Sequence, residues 1–275
     1  MKLFQKIHRR IPVIEGVVHL FGVKLNNVRS SSALWKIRKL IKAKYRMEPG
    51  KVFFLNVHSI HLARLRERFK MCLNQADLVL PDGSGLNLAA RLFGTPIAEN
   101  LNGTDFTPKL LKEAERERWS VYLFGASKSN LLECNRRLHQ RFPKLQITGF
   151  SDGRADAQNT AQIIDDINAK QPDILLVALG SPLQEEWIAN NAQRLKVKVC
   201  LAVGGLFDFL SGARRRAPLW MRKWGIEWMF RFAQEPGAKW QRVFVEIPSF
   251  LWFIAIERIR ELRLKPLRFT WRVSA

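Results

Sequence analysis

The stretch "DILLVALGSPLQEEWI" (residues 173–188) is apolar from Ile174 to Leu179, breaks at Gly180-Ser181-Pro182, and resumes with Gln184, Glu185 and Glu186 at the start of a helix-like segment. An unbroken aliphatic run bounded by glycine and proline predicts a strand covered on both faces, since a half-solvated strand alternates. The break then delivers three polar side chains to the strand's carboxyl end.

Five further segments have a similar form: "KVFFLNV" (51–57), "DLVLPDG" (77–83), "SVYLFGA" (120–126), "LQITGF" (145–150) and "KVCLAVGG" (198–205). Amphipathic stretches at 107–118, 128–141, 157–170 and 183–195 lie between them. Strands alternating with helices predict an α/β fold, a Rossmann-like parallel sheet with helices on both faces. Ahead of it, "GVVHLFGVKLNNV" (16–28) reads as a small N-terminal β-hairpin. Almost every core segment ends in glycine or a polar residue: Asn56, Asp82-Gly83, Gly125, Gly149, Gly180-Ser181 and Gly204-Gly205. In an open α/β sheet the carboxyl ends of the strands form the ligand crevice, so these residues are expected on one rim. No strand is followed by G-x-G-x-x-G with an acid about 20 residues on, which argues against a dinucleotide-dependent dehydrogenase.

The net charge of +22 over 275 residues restricts partners to anionic ones: nucleic acid, a phospholipid surface or a phosphorylated substrate. Residues 213–275 hold 14 Lys and Arg against 5 acids, and six of the nine tryptophans. Indole beside arginine suits a membrane–water interface. Stacking on nucleic-acid bases would use the same residues, but it leaves a polar rim on a parallel sheet unexplained. The chain therefore divides into an α/β catalytic domain, 1–212, and a helical, basic, Trp-rich appendage, 213–275. Within the appendage, "IPSFLWFIAIERI" (247–259) falls short of the ~20 apolar residues that span a bilayer. It reads as an interfacial helix flanked by Arg258, Arg260, Arg263 and Lys265, with a helix packed on the sheet domain as the alternative.

Cys72, Cys134 and Cys200 are far apart, which indicates a reducing compartment. Lys2, Lys6, Arg9 and Arg10 precede only short apolar runs, so no signal peptide is expected and the location is read as cytosolic.

Several residues could carry chemistry. Asp82, at the end of a buried strand and before Gly-Ser-Gly, is placed for partial desolvation and general-base work, or else caps the helix that starts near Ser84. Asn56 either lines a ligand site or satisfies its own loop; His58 and His61 close behind it read as surface or core residues. In "ENLNGTDFTP" (99–108), Asn102 and Asp105 could meet sugar hydroxyls, or Asp105 or Thr107 could cap a helix with Pro108 at its first position. Glu185 and Glu186 suit the first turn of a helix, but that account does not cover Gln184. No D-x-D motif occurs, the usual carboxylate pair for a divalent cation on a nucleotide diphosphate. Arg214 to Arg216, Arg231, Lys239 and Arg242 are available to neutralise such a group instead, although a solvated basic face would look the same.

The motifs Asn56, "ADLVLPDGSGL" (76–86), "NGTDF" (102–106), "GSPLQEEWI" (180–188), "VGGLFDFLSG" (203–212) and "RAPLWMRKWGIEWMFRFAQEP" (216–236) together resemble the WecG/TagA/CpsF family of bacterial glycosyltransferases over roughly residues 15–245. The resemblance implies an inverting, metal-independent transfer without cofactors, from a UDP-sugar to a polyprenyl-diphosphate-linked saccharide. It places the enzyme on the cytoplasmic face of an anionic membrane surface, with no nucleic-acid partner. It implies Asp82 as base, Asn56 and Gln184 in the active-site pocket, and arginines of the appendage closing over it. Gly83, Asn102, Asp105, Gly125, Gly180, Ser181, Glu185, Gly204, Asp208, Arg231 and Arg242 complete the expected binding set. The family often has Thr two residues before the Asn, where this chain has Phe54, and paired arginines after "EP", where Gly237-Ala238 follow. The sequence leaves open which sugar moves and whether the chain forms a homo-oligomer.

Overall fold

The computed structural model describes residues 13–153 and 159–263. Lys2, Lys6, Arg9, Arg10, Lys265 and Trp271 lie outside them, as do the side chains of Lys239, Arg260 and Arg263. A two-stranded antiparallel hairpin, β1 (Gly16–Leu20) and β2 (Val23–Asn27), leads into α1 (Ser30–Lys42). The core strands are β3 (Gly50–Leu55), β4 (Leu78–Pro81), β5 (Ser120–Gly125), β6 (Gln146–Ser151), β7 (Ile174–Ala178) and β8 (Val199–Ala202). They form one sheet in the order β4-β3-β8-β7-β5-β6, with every pair parallel. The Rossmann-like sheet, the flanking helices and the hairpin are thus as the sequence implies.

Continuous apolarity in the strands follows from cover on both faces. Phe54, Leu80, Leu123, Leu176 and Leu201 face α1 and α5 (Gly103–Glu117) and α6 (Lys128–Arg141) in one core. Phe53, Leu55, Val79, Phe124, Val177 and Ala202 pack into the other. That second core lies under α2 (Val57–Leu65), α3 (Glu67–Asn74), α4 (Ser84–Leu92), α7 (Thr160–Lys170) and α8 (Leu183–Asn191). The three cysteines are buried and unpaired in these cores. An edge strand exposes unpaired backbone groups, and the hairpin covers the β4 edge: Asn26 accepts from Val79 N at 2.7 Å. Asn27 ties β2 to the β4–α5 segment through Pro96 O and Ala98 N.

Beyond α9 (Leu206–Leu210) the chain is helical: α10 (Leu219–Lys223), α11 (Glu227–Gln234), α12 (Pro236–Gln241), a π-helical turn at Arg242–Glu246, and α13 (Ile247–Arg263). Phe250 and Ile254 on α13 are each only 4% exposed and plug the second core. The ring of Phe21, in the hairpin turn, meets Phe250 and Phe253. The apolar run 247–259 therefore does pack against the sheet domain, although Leu251, Trp252 and Ile259 remain exposed. Among the described residues no helix is long and apolar enough to cross a membrane.

Candidate active site

The strand order sets the site. β4, β3, β8 and β7 are neighbours, so Asp82, Asn56, Gly204 and Gly180 follow one another along the carboxyl rim. Asp82 N donates to Leu55 O at 2.8 Å and Val203 N to Val177 O at 2.8 Å, continuing the sheet past its formal ends and fixing the rim residues in register.

Asp82 does not cap α4. Gly83 takes the N-cap position with φ +100, a conformation glycine adopts without steric cost, and its N–H goes to Asn100 Oδ1 at 2.8 Å. The carboxylate of Asp82 is left to face the crevice, where Asn56 Nδ2 donates to Oδ2 at 3.3 Å. Asn56 also caps α2, its Oδ1 accepting from Ser59 N at 3.0 Å. It therefore satisfies its own loop, as one of the two sequence readings had it, and contacts Asp82 as well. Burial pushes the Asp82 carboxyl above its usual range; the positive charge of Arg231, the Asn56 hydrogen bond and the charge of Arg242 pull the other way, and Glu227 reinforces the rise. Burial disfavours the ionised form of a carboxylate, which moves it toward the range where a base works near neutrality.

The cations come from the C-terminal helices. Arg231 on α11 is held by Glu227, at 3.1 Å from Nε and 2.6 Å from Nη2, and lies over the Phe209 ring at 5.2 Å. Arg242 opens the π turn and has no carboxylate within ion-pair distance among the described residues. Its guanidinium is pushed below its usual range by burial and by the neighbouring charge of Arg231, against the opposing pull of Asp82 and Glu246. A half-buried cation with no carboxylate at ion-pair distance is poorly compensated, and an entering anion would relieve it. Ser84 Oγ donates to Gly225 O at 2.7 Å, pinning the α10–α11 connection to the Asp82 loop.

Asn102 rather than Asp105 or Thr107 caps α5: its Oδ1 accepts from Asp105 N at 2.9 Å and its Nδ2 donates to Asp105 Oδ2 at 2.8 Å. Pro108 accordingly lies inside the helix, not at its first position. The reciprocal Asn–Asp pairing resembles a capping box, which the sequence reading placed three to five residues too late. Asp105 also binds Arg216, through Oδ2 at 3.2 Å, and lies 3.6 Å from Arg222. Arg216, read from sequence only as one of a basic run, thus joins the appendage to α5, and its charge is felt by Asp82. A cavity of about 240 Å³ opens beside this pair, lined by Thr104, Asp105, Arg141, Phe209, Leu210 and Arg216. It lies along the rim from Asp82, which does not line it.

Gln184 and Glu185 are 3% and 1% exposed. Gln184 Oε1 accepts from Gly180 N at 3.3 Å and Gly204 N at 2.9 Å, while Nε2 donates to Glu185 Oε1 at 2.9 Å and reaches Ser181 Oγ at 3.4 Å. Ser181 Oγ donates to Glu185 Oε1 at 2.8 Å. Burial raises the Glu185 carboxyl above its usual range, against the hydrogen bonds from Gln184 and Ser181. Gln184 accordingly buckles the β7 loop to the β8 loop. β7 is three places from β4 in the sheet, and no hydrogen bond joins Gln184 to Asp82 among the described residues. Gly180 (φ +82) and Gly204 (φ +57) form the turns that Gln184 joins. Gly125 lies so close to Ala178 that a Cβ there would come within 2.4 Å of its carbonyl oxygen. Asp208 accepts from Asn130 at 2.8 Å and pairs with Arg214 at 3.3 Å. Phe54 is buried against Phe106.

Sequence reading missed Glu227 as a charge acting on Asp82 and the 2.8 Å contact of His58 Nδ1 with Glu246 Oε2. The spacing of Glu227 and Arg231 in "EWMFR" was a visible helical i,i+4 pair. No pattern in one sequence pairs residues 188 positions apart.

The model for the family described as glycosyl transferase WecG/TagA/CpsF matches residues 18–264. A protein of Bacillus spizizenii named N-acetylglucosaminyldiphosphoundecaprenol N-acetyl-beta-D-mannosaminyltransferase is 35% identical over 67% of this chain and 70% of its own. Proteins of the same name from Bacillus subtilis and Staphylococcus aureus (strain MW2) are 32% and 29% identical, covering 65% and 73% of this chain and 68% and 77% of theirs. The family match runs through the sheet, the Asp82 crevice and the arginine-bearing helices alike, and on that span the chain belongs to the WecG/TagA/CpsF family of glycosyltransferases.

Proposed function

We propose that the protein transfers a hexosyl or N-acetylhexosaminyl group from a UDP-sugar to a saccharide carried on polyprenyl diphosphate, with inversion at the anomeric carbon. The observation that carries this reading is the half-buried carboxylate of Asp82, oriented by Asn56, with the charges of Arg231 and Arg242 acting on it. The names of the relatives support a lipid-linked acceptor, since those proteins act on N-acetylglucosaminyl-diphosphoundecaprenol.

Asp82, ionised, takes the proton of the acceptor hydroxyl while that oxygen bonds to the anomeric carbon. The bond from this carbon to the donor diphosphate breaks on the opposite face, and its electron pair leaves with UDP. Positioned general-base catalysis contributes roughly 10²–10⁴-fold. Arg231 and Arg242, with Arg216 nearby, take up the charge growing on the diphosphate, the role a divalent cation fills elsewhere. Asn56 holds the base, while Gln184 acts at a distance by fixing the β7 and β8 loops that meet the donor. Asp208, Asn102 and Asp105 lie along the same rim, next to the 240 Å³ cavity. Exposed Trp220, Trp224 and Trp252 would hold the protein peripherally on an anionic membrane, at the cytoplasmic face where a UDP-sugar is found.

The test is a panel of UDP-sugars offered to the purified protein with a synthetic polyprenyl-diphosphate-linked N-acetylglucosamine, reading UDP release and product mass. UDP release with one donor that depends on the lipid acceptor is expected; none across the panel would overturn the reading.

A further inference from the structure

We propose that His58 and Glu246 are positioning residues for the reaction: their hydrogen-bonded contact, which joins the sheet domain to the C-terminal helices, aims Arg242 at the diphosphate. The proposal rests on the reading that Arg242 takes up donor charge. It adds a pair of residues, neither in contact with substrate, on which that role depends.

Arg242 has no ion-pair partner of its own among the described residues, so its direction must come from the backbone that carries it. That backbone is the π turn Arg242–Glu246, whose widened path brings Ile247 N to Arg242 O. Such turns are rare and recur at functional sites. At its far end Glu246 is 8% exposed, and Oε2 lies 2.8 Å from His58 Nδ1. His58 belongs to the first turn of α2, two residues after Asn56, which caps that helix and donates to Asp82. Asp82, Asn56, His58, Glu246 and Arg242 thus form one chain of contacts and short covalent spans that returns to the Asp82 crevice. A second tie runs in parallel, with Ser249 Oγ 3.5 Å from His61 Nδ1 and donating to Glu246 O at 2.9 Å. Burial would neutralise Glu246, but the His58 hydrogen bond, with the charges of His58, Arg242 and His61, holds its carboxyl below the usual range. The apolar plugs Phe250 and Ile254 seat α13 independently. Loss of the pair should therefore misdirect Arg242 without undocking the helix.

The experiment titrates UDP into the full chain by calorimetry, for the parent and for Glu246→Gln, His58→Gln, Arg242→Ala and Arg242→Ala/Glu246→Gln, with circular dichroism to confirm folding. Glu246→Gln and His58→Gln should each weaken UDP about fivefold or more. The double variant should bind no more weakly than Arg242→Ala alone, because Glu246 acts through Arg242. If both single variants bind UDP within about twofold of the parent while Arg242→Ala weakens it, the positioning role is overturned and the transferase reading stands. Additive losses in the double variant would also overturn it, by reducing the pair to general stabilisation. A parent chain that does not bind UDP, or an Arg242→Ala variant that binds as the parent does, removes the reading beneath it.

Discussion

Asn56 donates to Asp82 at 3.3 Å while the oxygen of the same amide accepts from Ser59 N at 3.0 Å. The cap dictates which end of the amide faces the carboxylate, so helix geometry presents a hydrogen-bond donor, never an acceptor, to Asp82. Asn56→Asp keeps a capping oxygen but sets a second carboxylate against Asp82. Like charges at this distance raise the pKa of one partner. We expect kcat to fall at least about tenfold and the acidic limb of the pH–rate profile to move up, with little change in melting temperature. An unchanged profile would show that Asn56 serves α2 alone.

Asp82→Asn should cut turnover by at least about 10² with UDP binding retained. Its effect on stability follows from the direction of the Asp82 shift. A carboxyl whose folded pKa is raised binds its proton more tightly folded than unfolded. Its ionisation therefore costs stability as pH rises from the ordinary Asp range through the raised value. Asn imitates the protonated form, so the variant should melt at or above the parent temperature at pH 8, and the two should converge in acid. Scanning calorimetry at several pH values measures this; a variant that melts lower at pH 8 than in acid, relative to the parent, would contradict the direction.

For the same reason the parent enzyme should lose activity on acidification at a pH above the ordinary Asp range, as Asp82 takes up its proton. Measuring kcat/KM against pH locates that limb in the free enzyme.

The fold was legible because the core strands are apolar throughout. Leu176 and Val177 face opposite cores, a pattern only a doubly covered strand produces. The rim positions of Asp82 and Asn56 were legible because each follows directly on such a strand. What one sequence could not reveal was pairing across long spans: Asp105 with Arg216, and His58 with Glu246. Gln184 was located correctly, yet its saturation by Gly180, Gly204 and Glu185 depends on β7 and β8 being neighbours, which no local pattern shows. The helix of 247–259 was seen, but its periodicity did not show that Phe250 and Ile254 turn inward.

Gln184→Ala would remove the acceptor of the half-buried Gly180 and Gly204 amides, where a fully buried unsatisfied donor costs about 1–3 kcal/mol. A drop of several degrees in melting temperature is expected, together with a raised KM for the donor. Gln184→Glu keeps both acceptor contacts but places a charge against Glu185, and should be destabilised as well. A stable, inactive Gln184→Ala would instead point to direct contact with substrate.

If arginines supply the positive charge at the diphosphate, activity should survive exhaustive treatment with EDTA and fall with Arg231→Ala. Removing one preorganised donor to developing charge typically costs about 10²-fold or more in kcat. Arg231→Lys should recover only part, because an ammonium cannot reproduce the forked contacts to Glu227 and a phosphate. Loss of activity in EDTA, restored by a divalent cation, would overturn the arginine assignment.

Membrane attachment needs a test that spares the fold. Deleting 247–275 would expose the core that Phe250 and Ile254 fill, so loss of binding in that variant would mean little. Trp224 and Trp252, 77% and 70% exposed, lie outside both cores, Trp224 meeting the exposed Trp220 ring, and can be changed without opening the core. Apolar area that leaves water contributes roughly 25 cal/mol per Å², so two exposed indoles that enter an interface add measurably to binding. Trp224→Ser/Trp252→Ser should therefore weaken flotation with anionic vesicles at least about tenfold while UDP binding stays at the parent value. Zwitterionic vesicles should bind the parent less, because arginines near the surface add about 1 kcal/mol each only when the lipid is negative. Equal flotation of variant and parent would take these tryptophans out of the membrane surface.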